Sequence, residues 1–587
     1  MGIGILAAGA TVGISSVLAW MMLAVLGIFL RKEILAWWRS WRDLYTLWQE
    51  SDRFGRTVAS GIILISGFTL ATALAPPLKF DALVYHLSLP QAYLEANRII
   101  YTPQLMFWGM PQMGEMLYTW AVALSGNETA AVLGWICGLL SLIGLAGYVS
   151  TRLGTRSAWV SVAALCSGFS LAASLAWAYV DWLVILFGWA FLVVMDCWRQ
   201  EGKGQHLAVA GAFVGLALGT KYTAGVLLLA GMVSVIVQAR SRVGTYGVAR
   251  ALLHFSFWAV LFSLPWWVKN TLATGNPFYP FIFPAGAMNP LRMDLYQNHI
   301  PWGSWQDVLL LPWRATVQGM EAAPGYSASI GPLLLALGVL ACLYWPALPM
   351  NHQSLVSSAA WIALPGLLVW ILASRFSEYL IQSRLYFSLF PSLAVLAGAG
   401  FTGLVRKSLP GVKLERVAGA LILLVFGFNV LEVGVFSLHQ GSLELLLGNR
   451  SKEAYLSGNL GGFAPAMQAV RELPPESRVL MLWEPRSLYC HPRCFPDEIL
   501  DRWLNDRYTG SPSNLKHAAG RTAGAILHSW QEAGYTHLLF YRLGADFVRQ
   551  EDGRYRPSDW QALEDLFTRL PAPETFGPAY SLFKLIP

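Results

Sequence analysis

"TVASGIILISGFTLATALAPPLKFDALVYHLSLPQAYLEANRII", residues 57–100, begins as an uninterrupted apolar run and changes character at Pro76. The run 57–75 has the length of a membrane crossing, for which a helix needs roughly 17–25 apolar residues. Beyond it lies an acid, Asp81, at the head of "ALVYHLSL" and "QAYLEANRII". A carboxylate just outside a span, in a long connection, needs a reason to be there.

Reading outward, the 587 residues are 55% hydrophobic and only 13% charged, against about 25% charged in an ordinary soluble domain. The chain is therefore an integral membrane protein. Further crossing-length runs lie near 4–30, 129–150, 156–177, 179–197, 250–268, 328–346, 355–374, 385–405 and 416–438. A shorter pair, 207–220 and 222–238, is split by Lys221, so about 10–12 transmembrane helices are expected. The first run lacks a basic leader and exceeds the 7–15-residue apolar core of a secretory signal, so it reads as retained. The net charge of +7 comes from Lys and Arg gathered in short connections, which topology explains without a nucleic-acid partner.

Residues 31–56 combine basic side chains with Trp37, Trp38, Trp41 and Trp48, as expected of a helix lying on the cytoplasmic membrane face. The basic connections 151–156, 198–206, 239–250 and 406–416 fall on that same side if the short pair goes out and back. The N-terminus, the loops 76–128 and 269–327, the connection 374–384 and everything after about 439 then face the exoplasm. The expected organisation is 1–56, a transmembrane helix plus amphipathic segment; 57–438, the main transmembrane domain; and 439–587, a small exoplasmic α/β domain. In the last, "RVLMLWE" (478–484) and "THLLFYR" (536–542) read as strands, and 522–534 and 558–570 as helices.

Of six cysteines, Cys137, Cys166, Cys197 and Cys342 lie in or beside apolar runs and read as buried thiols. Cys490 and Cys494, in "YCHPRC", are expected to form a short-loop disulfide in an oxidising compartment. His491 between them keeps a metal alternative open. No other residues suggest a metal site; no cofactor is implied, and a divalent cation is left open.

Each charged candidate has a functional and a plainer reading. Asp81 can be a general base or a helix N-cap, with Tyr85, four residues on, as its nearer neighbour and His86 turned away. Asp181 opens a span, where an acid also complements the helix dipole. Lys221 sits at membrane depth, where an ammonium costs about 2.5–3.5 kcal/mol unless it is paired, hydrated or snorkelling. Arg384 begins a span on the side where basic residues are sparse, as a ligand or an anchor; Lys269 is similar but nearer the rim. Two acids and up to three cations thus meet at one membrane face, an arrangement suited to a lipid phosphate.

The order of "FDALVYHLSLPQAYLEANRI", "YVDWLVILF", "GLALGTKYTAG", "PWWVKNTLATGNPFYPF" and "SRLYFSLFPSLAVLAGAG" resembles the GT-C superfamily of polytopic glycosyltransferases. Within it, the likeness is to the bacterial branch related to protein O-mannosyltransferases and lipid A aminoarabinose transferases, and it covers residues 57–405. Many relatives carry a paired Asp-Glu in the first loop where this chain has Asp81-Ala82. The resemblance implies transfer of a sugar from a polyprenyl-phosphate donor to a lipid, glycan or protein acceptor, with inversion, on the exoplasmic face of a bacterial plasma membrane. Asp81 would be the base, Asp181 would orient acceptor or base, and Lys221 and Arg384 would bind the phosphate, with Tyr85, His86 and Lys269 around the substrate. A secondary transporter or lipid flippase is the alternative; an assembly role is a third.

Overall fold

The computed structural model describes residues 1–585 apart from 241–244, 298–300, 322–324, 349–351, 407–412 and 510–517. Parts of the basic connections 239–250 and 406–416, and of the loop 269–327, therefore lie outside the described residues. Among the described residues, eight helices are long and apolar enough to cross a membrane: Arg53–Ala73, Asn127–Leu153, Asp181–Glu201, Tyr222–Arg240, Gly247–Thr274, Gln353–Ala373, Ser383–Arg406 and Leu414–Gln440. The pair Thr155–Leu165 and Phe169–Ala176, bent by 91°, makes a ninth if it is one span. Shorter apolar helices run Gly2–Thr11, Ser16–Phe29, Gly204–Leu218 and Leu333–Leu343. The chain is an α-helical polytopic membrane protein.

Two expected spans are interrupted, each where backbones approach closely. The run 4–30 parts at Gly13, whose φ of +96° favours glycine and whose added Cβ would lie 3.0 Å from the Asn97 carbonyl. That same carbonyl accepts the Ile14 N–H, and Gly9 accepts the Ile99 N–H, so the N-terminal helices are tied to the 76–128 connection. The run 156–177 breaks before Phe169, and a Cβ on Gly168 would come within 2.4 Å of the Ser329 and Ile330 backbone. The helix Arg31–Glu50 buries only Leu47 and exposes its four Trp, the pattern of a helix seeking an interface.

After Leu414–Gln440 ends on left-handed Gly441, the chain builds a mixed sheet of β1 (Val479–Leu482), β2 (Cys494–Phe495), β3 (His537–Tyr541), β4 (Glu574–Phe576) and β5 (Tyr580–Lys584), in the order β2-β1-β3-β5-β4. Strand β1 pairs in parallel with β2 and β3, and β5 runs antiparallel to β3 and β4. The expected strands become β1 and β3, and the expected helices become Ala523–Glu532 and Pro557–Thr568. Leu480, Trp483, Trp503, Ile526, Leu538 and Phe583 form the core on this sheet.

The loop between β1 and β2 reaches back to the membrane part. Ser487 and Leu488 donate their N–H groups to the Leu83 carbonyl at 3.0 and 3.2 Å. Tyr489 donates its hydroxyl to the Pro77 carbonyl at 2.7 Å. Cys490 in this loop is joined to Cys494, which opens β2, their Cα atoms 5.7 Å apart, while His491 Nδ1 lies 2.7 Å from Glu95. We expect peptides spanning 490–494 to carry the intact bond in non-reduced mass spectra; two alkylated thiols would refute it. Of the other cysteines, Cys137 and Cys166 are buried as expected and Cys197 is half-buried, but Cys342 is exposed on the helix surface.

Candidate active site

The arrangement of Asp81 follows from an irregular turn. Residues Ala82–His86 form a π-helical turn, closed by the Leu87 N–H on the Ala82 carbonyl, five residues back. Such turns are wider than α-helical ones and recur at functional sites. The extra residue per turn swings His86 round to the side of Asp81, so the α-helical expectation that His86 points away is corrected. Tyr85 and His86 stand side by side, ring centroids 4.1 Å apart. Asp81 makes no side-chain cap bond, which removes the N-cap reading.

Its carboxylate instead pairs with the Arg384 guanidinium. Arg384 lies in the 3-10 turn Ser383–Leu389 that feeds the helix Phe390–Arg406. Its Nε is also 3.4 Å from Asp181 Oδ2, and its guanidinium stacks 4.6 Å above the Tyr179 ring. Asp181, the first residue of the buried helix Asp181–Glu201, is 1% exposed and pairs with the Lys221 amine. Lys221 stands on an extended residue between Gly204–Leu218 and the turn Tyr222–Ala224, where the broken helix pair presents it. The anchor reading of Arg384 and the snorkelling reading of Lys221 both give way to ion pairing. Burial pushes the Asp81 carboxyl up, but Arg384, then His86 and Lys221, more than offset this and hold it below the usual carboxylate range.

The two acids and two cations balance in charge. Beside them opens a cavity of about 180 Å³ lined by Tyr85, His86, Glu115, Lys221, Tyr222 and Arg384, among others. It is smaller than the roughly 300–1,000 Å³ of drug-sized pockets.

Glu115 was not read from the sequence. It sits in the first turn of Met113–Ser125, where an acid is ordinarily a dipole partner, yet its Oε1 is 2.6 Å from His86 Nδ1 with both side chains buried. Its only sequence signal was an acid embedded in an apolar run.

Lys269 is not brought to the other cations. It is buried, donates to the Trp108 carbonyl and lies 3.8 Å over the Trp108 ring. Next to it, Asn270 Nδ2 donates to the Gly109 carbonyl at 2.7 Å. Together they pin the turn Met106–Gly109, whose Phe107 forms part of the cavity wall. From the other side, Glu498 of the C-terminal part accepts the Phe107 N–H at 2.9 Å.

Among the described residues, no three His, Cys, Asp or Glu side chains gather as for a metal ion. The donor set does not fit a divalent cation either, because Asp81 and Asp181 already face Arg384 and Lys221.

No family model and no curated protein matches the sequence. Among solved structures, the chain is similar to ArnT from Cupriavidus metallidurans bound to undecaprenyl phosphate, with 14% identity and a TM-score of 0.53, covering 90% of this chain and 97% of that one. The apo state of the same protein gives 14% identity and a TM-score of 0.51 over the same shares. An apo oligosaccharyltransferase from Archaeoglobus fulgidus gives 10% and 0.49, over 82% of this chain and 69% of that one. The chain shares the polytopic membrane fold of the ArnT structures over most of its length.

Proposed function

We propose that the protein is a membrane glycosyltransferase that moves a sugar from a polyprenyl-phosphate donor to an acceptor hydroxyl, with residues 57–438 carrying the reaction and 439–587 covering it. One observation carries the reading: Arg384 and Lys221, from separate elements, converge at one cavity with carboxylates held against them. A phosphate that takes Arg384 leaves the Asp81 carboxylate without its counter-charge, a state that taking up a proton relieves. The fold likeness to a protein crystallised with undecaprenyl phosphate supports the same ligand class.

Exchange would also set the order of events. With no phosphate bound, Arg384 occupies Asp81 and keeps it a poor base. When the donor phosphate draws Arg384 away, Asp81 loses its main counter-charge, its proton affinity rises, and it takes the acceptor's proton as the sugar transfers with inversion. Asp181 retains Lys221 beside the leaving phosphate. No divalent cation enters this scheme.

Supplying the purified protein with a panel of radiolabelled polyprenyl-phosphate sugars tests it: label should move from at least one, and none moving would refute it. We further place the site on the exoplasmic face of a bacterial plasma membrane, with residues 31–56 inside. A cysteine introduced at Leu35 should react with impermeant reagent only from the cytoplasmic side, and labelling only from outside would invert the scheme.

A further inference from the structure

The His86–Glu115 pair is not used by the scheme above. His86 Nδ1 is 2.6 Å from Glu115 Oε1, the two side chains are 1% and 4% exposed, and both line the cavity. His86 Nε2 is buried without a hydrogen-bond partner among the described residues. A buried polar atom left unpaired costs stability unless something uses it. An ionised carboxylate only accepts, so Glu115 places the imidazole proton on Nδ1 and leaves the lone pair on Nε2. That ring stands on the π-turn that Asp81 opens, and Arg384, the partner of Asp81, lines the same cavity.

We propose that His86, oriented by Glu115, is the proton acceptor of the transfer reaction, receiving the acceptor's proton from Asp81. This rests on the glycosyltransferase reading. The acceptor oxygen bonds to the anomeric carbon as the bond from that carbon to the phosphate oxygen breaks, its electron pair leaving with the polyprenyl phosphate. The acceptor's proton passes to Asp81 and then to Nε2, giving an imidazolium that Glu115 stabilises through Nδ1–H; solvent takes the proton after product leaves. Asp81 alone is a poor place for a proton to rest, because Lys221 remains near it. The ring is contacted by Glu115 from Met113–Ser125, Tyr85 from its own turn and Tyr179 from the segment ahead of Asp181–Glu201, and it shares the cavity with Lys221 and Arg384, the partners of Asp181 and Asp81. Glu115 is a positioning residue.

The test uses the full-length protein and the undecaprenyl-phosphate-linked sugar that the wild type turns over. His86→Asn keeps an amide N–H for Glu115 and removes the lone pair. It should lower kcat about 10²-fold or more and leave the donor KM unchanged. Imidazole in the medium should restore activity to His86→Gly. Glu115→Gln should lower kcat less and leave the donor KM unchanged, since the imidazole keeps its place and the imidazolium loses only its counter-charge. A wild-type kcat in His86→Asn overturns the proposal. So does a failure of imidazole to rescue His86→Gly, which decides the matter should His86→Asn not fold. If the wild type moves label from no polyprenyl-phosphate sugar, the transferase reading falls and takes the proposal with it; if the wild type is active and the variants behave like it, only the proposal falls.

Discussion

Asp81→Asn is expected to fold and insert like the wild type and to transfer sugar 10²–10⁴-fold more slowly, the usual loss when a general base is removed. Stability should survive because Asp81 caps no helix, and the asparagine oxygen still accepts from Arg384, which keeps Asp181 as a counter-charge. Chemistry should not survive, since an amide takes no proton. Asp81→Glu keeps the carboxylate but lengthens the arm, and should retain a trace of activity. Transfer by Asp81→Asn at a near wild-type rate would end the base assignment.

The second large effect is at Arg384, and the structure changes which substitution reads it. Arg384→Gln would leave Asp81 without its paired cation and Asp181 with Lys221 alone, and breaking such a pair costs about 3–5 kcal/mol. A loss of donor binding there would be confounded by unfolding. Arg384→Lys preserves the charge and loses the planar fork that grips a phosphate. With charge-assisted hydrogen bonds contributing about 1.5–3 kcal/mol each, undecaprenyl phosphate affinity should fall about 10- to 100-fold while the melting temperature changes little. Calorimetric titration of the purified protein measures this directly. Unchanged affinity in both Arg384→Lys and Lys221→Gln would take the two cations out of the phosphate site.

The charged half of this site was legible in the sequence for one physical reason. A charge in apolar sequence is costly, so Asp181, Lys221 and Arg384 stood out, and sidedness alone brought them to Asp81. Groups whose purpose lies in irregular geometry were not legible. His86 was read on an α-helical wheel, and nothing in periodicity announces a π-turn. Glu115 looked like any first-turn acid, and its partner lies 29 residues away. Lys269 shared the pattern of the other cations, yet its amine is committed to Trp108. Similarly, apolar length showed the runs 4–30 and 156–177 but not their breaks, which depend on Asn97 and Ser329 lying against Gly13 and Gly168. In the C-terminal part the strongly apolar β1 and β3 were read, whereas β2, only two residues long, owes its existence to β1 beside it.

The bonds from Ser487, Leu488 and Tyr489 to the Leu83 and Pro77 carbonyls also fix a sequence of events in biogenesis. Tyr489 and Pro77 are separated by 412 positions along the chain, so every membrane helix has been synthesised before the donors to the Asp81 turn emerge. Until the last quarter of the polypeptide reaches the side of the membrane where that turn lies, the turn lacks its outer support. A chain stalled during translocation would therefore hold lipid-facing helices around an unfinished centre, and competence for chemistry would arrive only with the final segment.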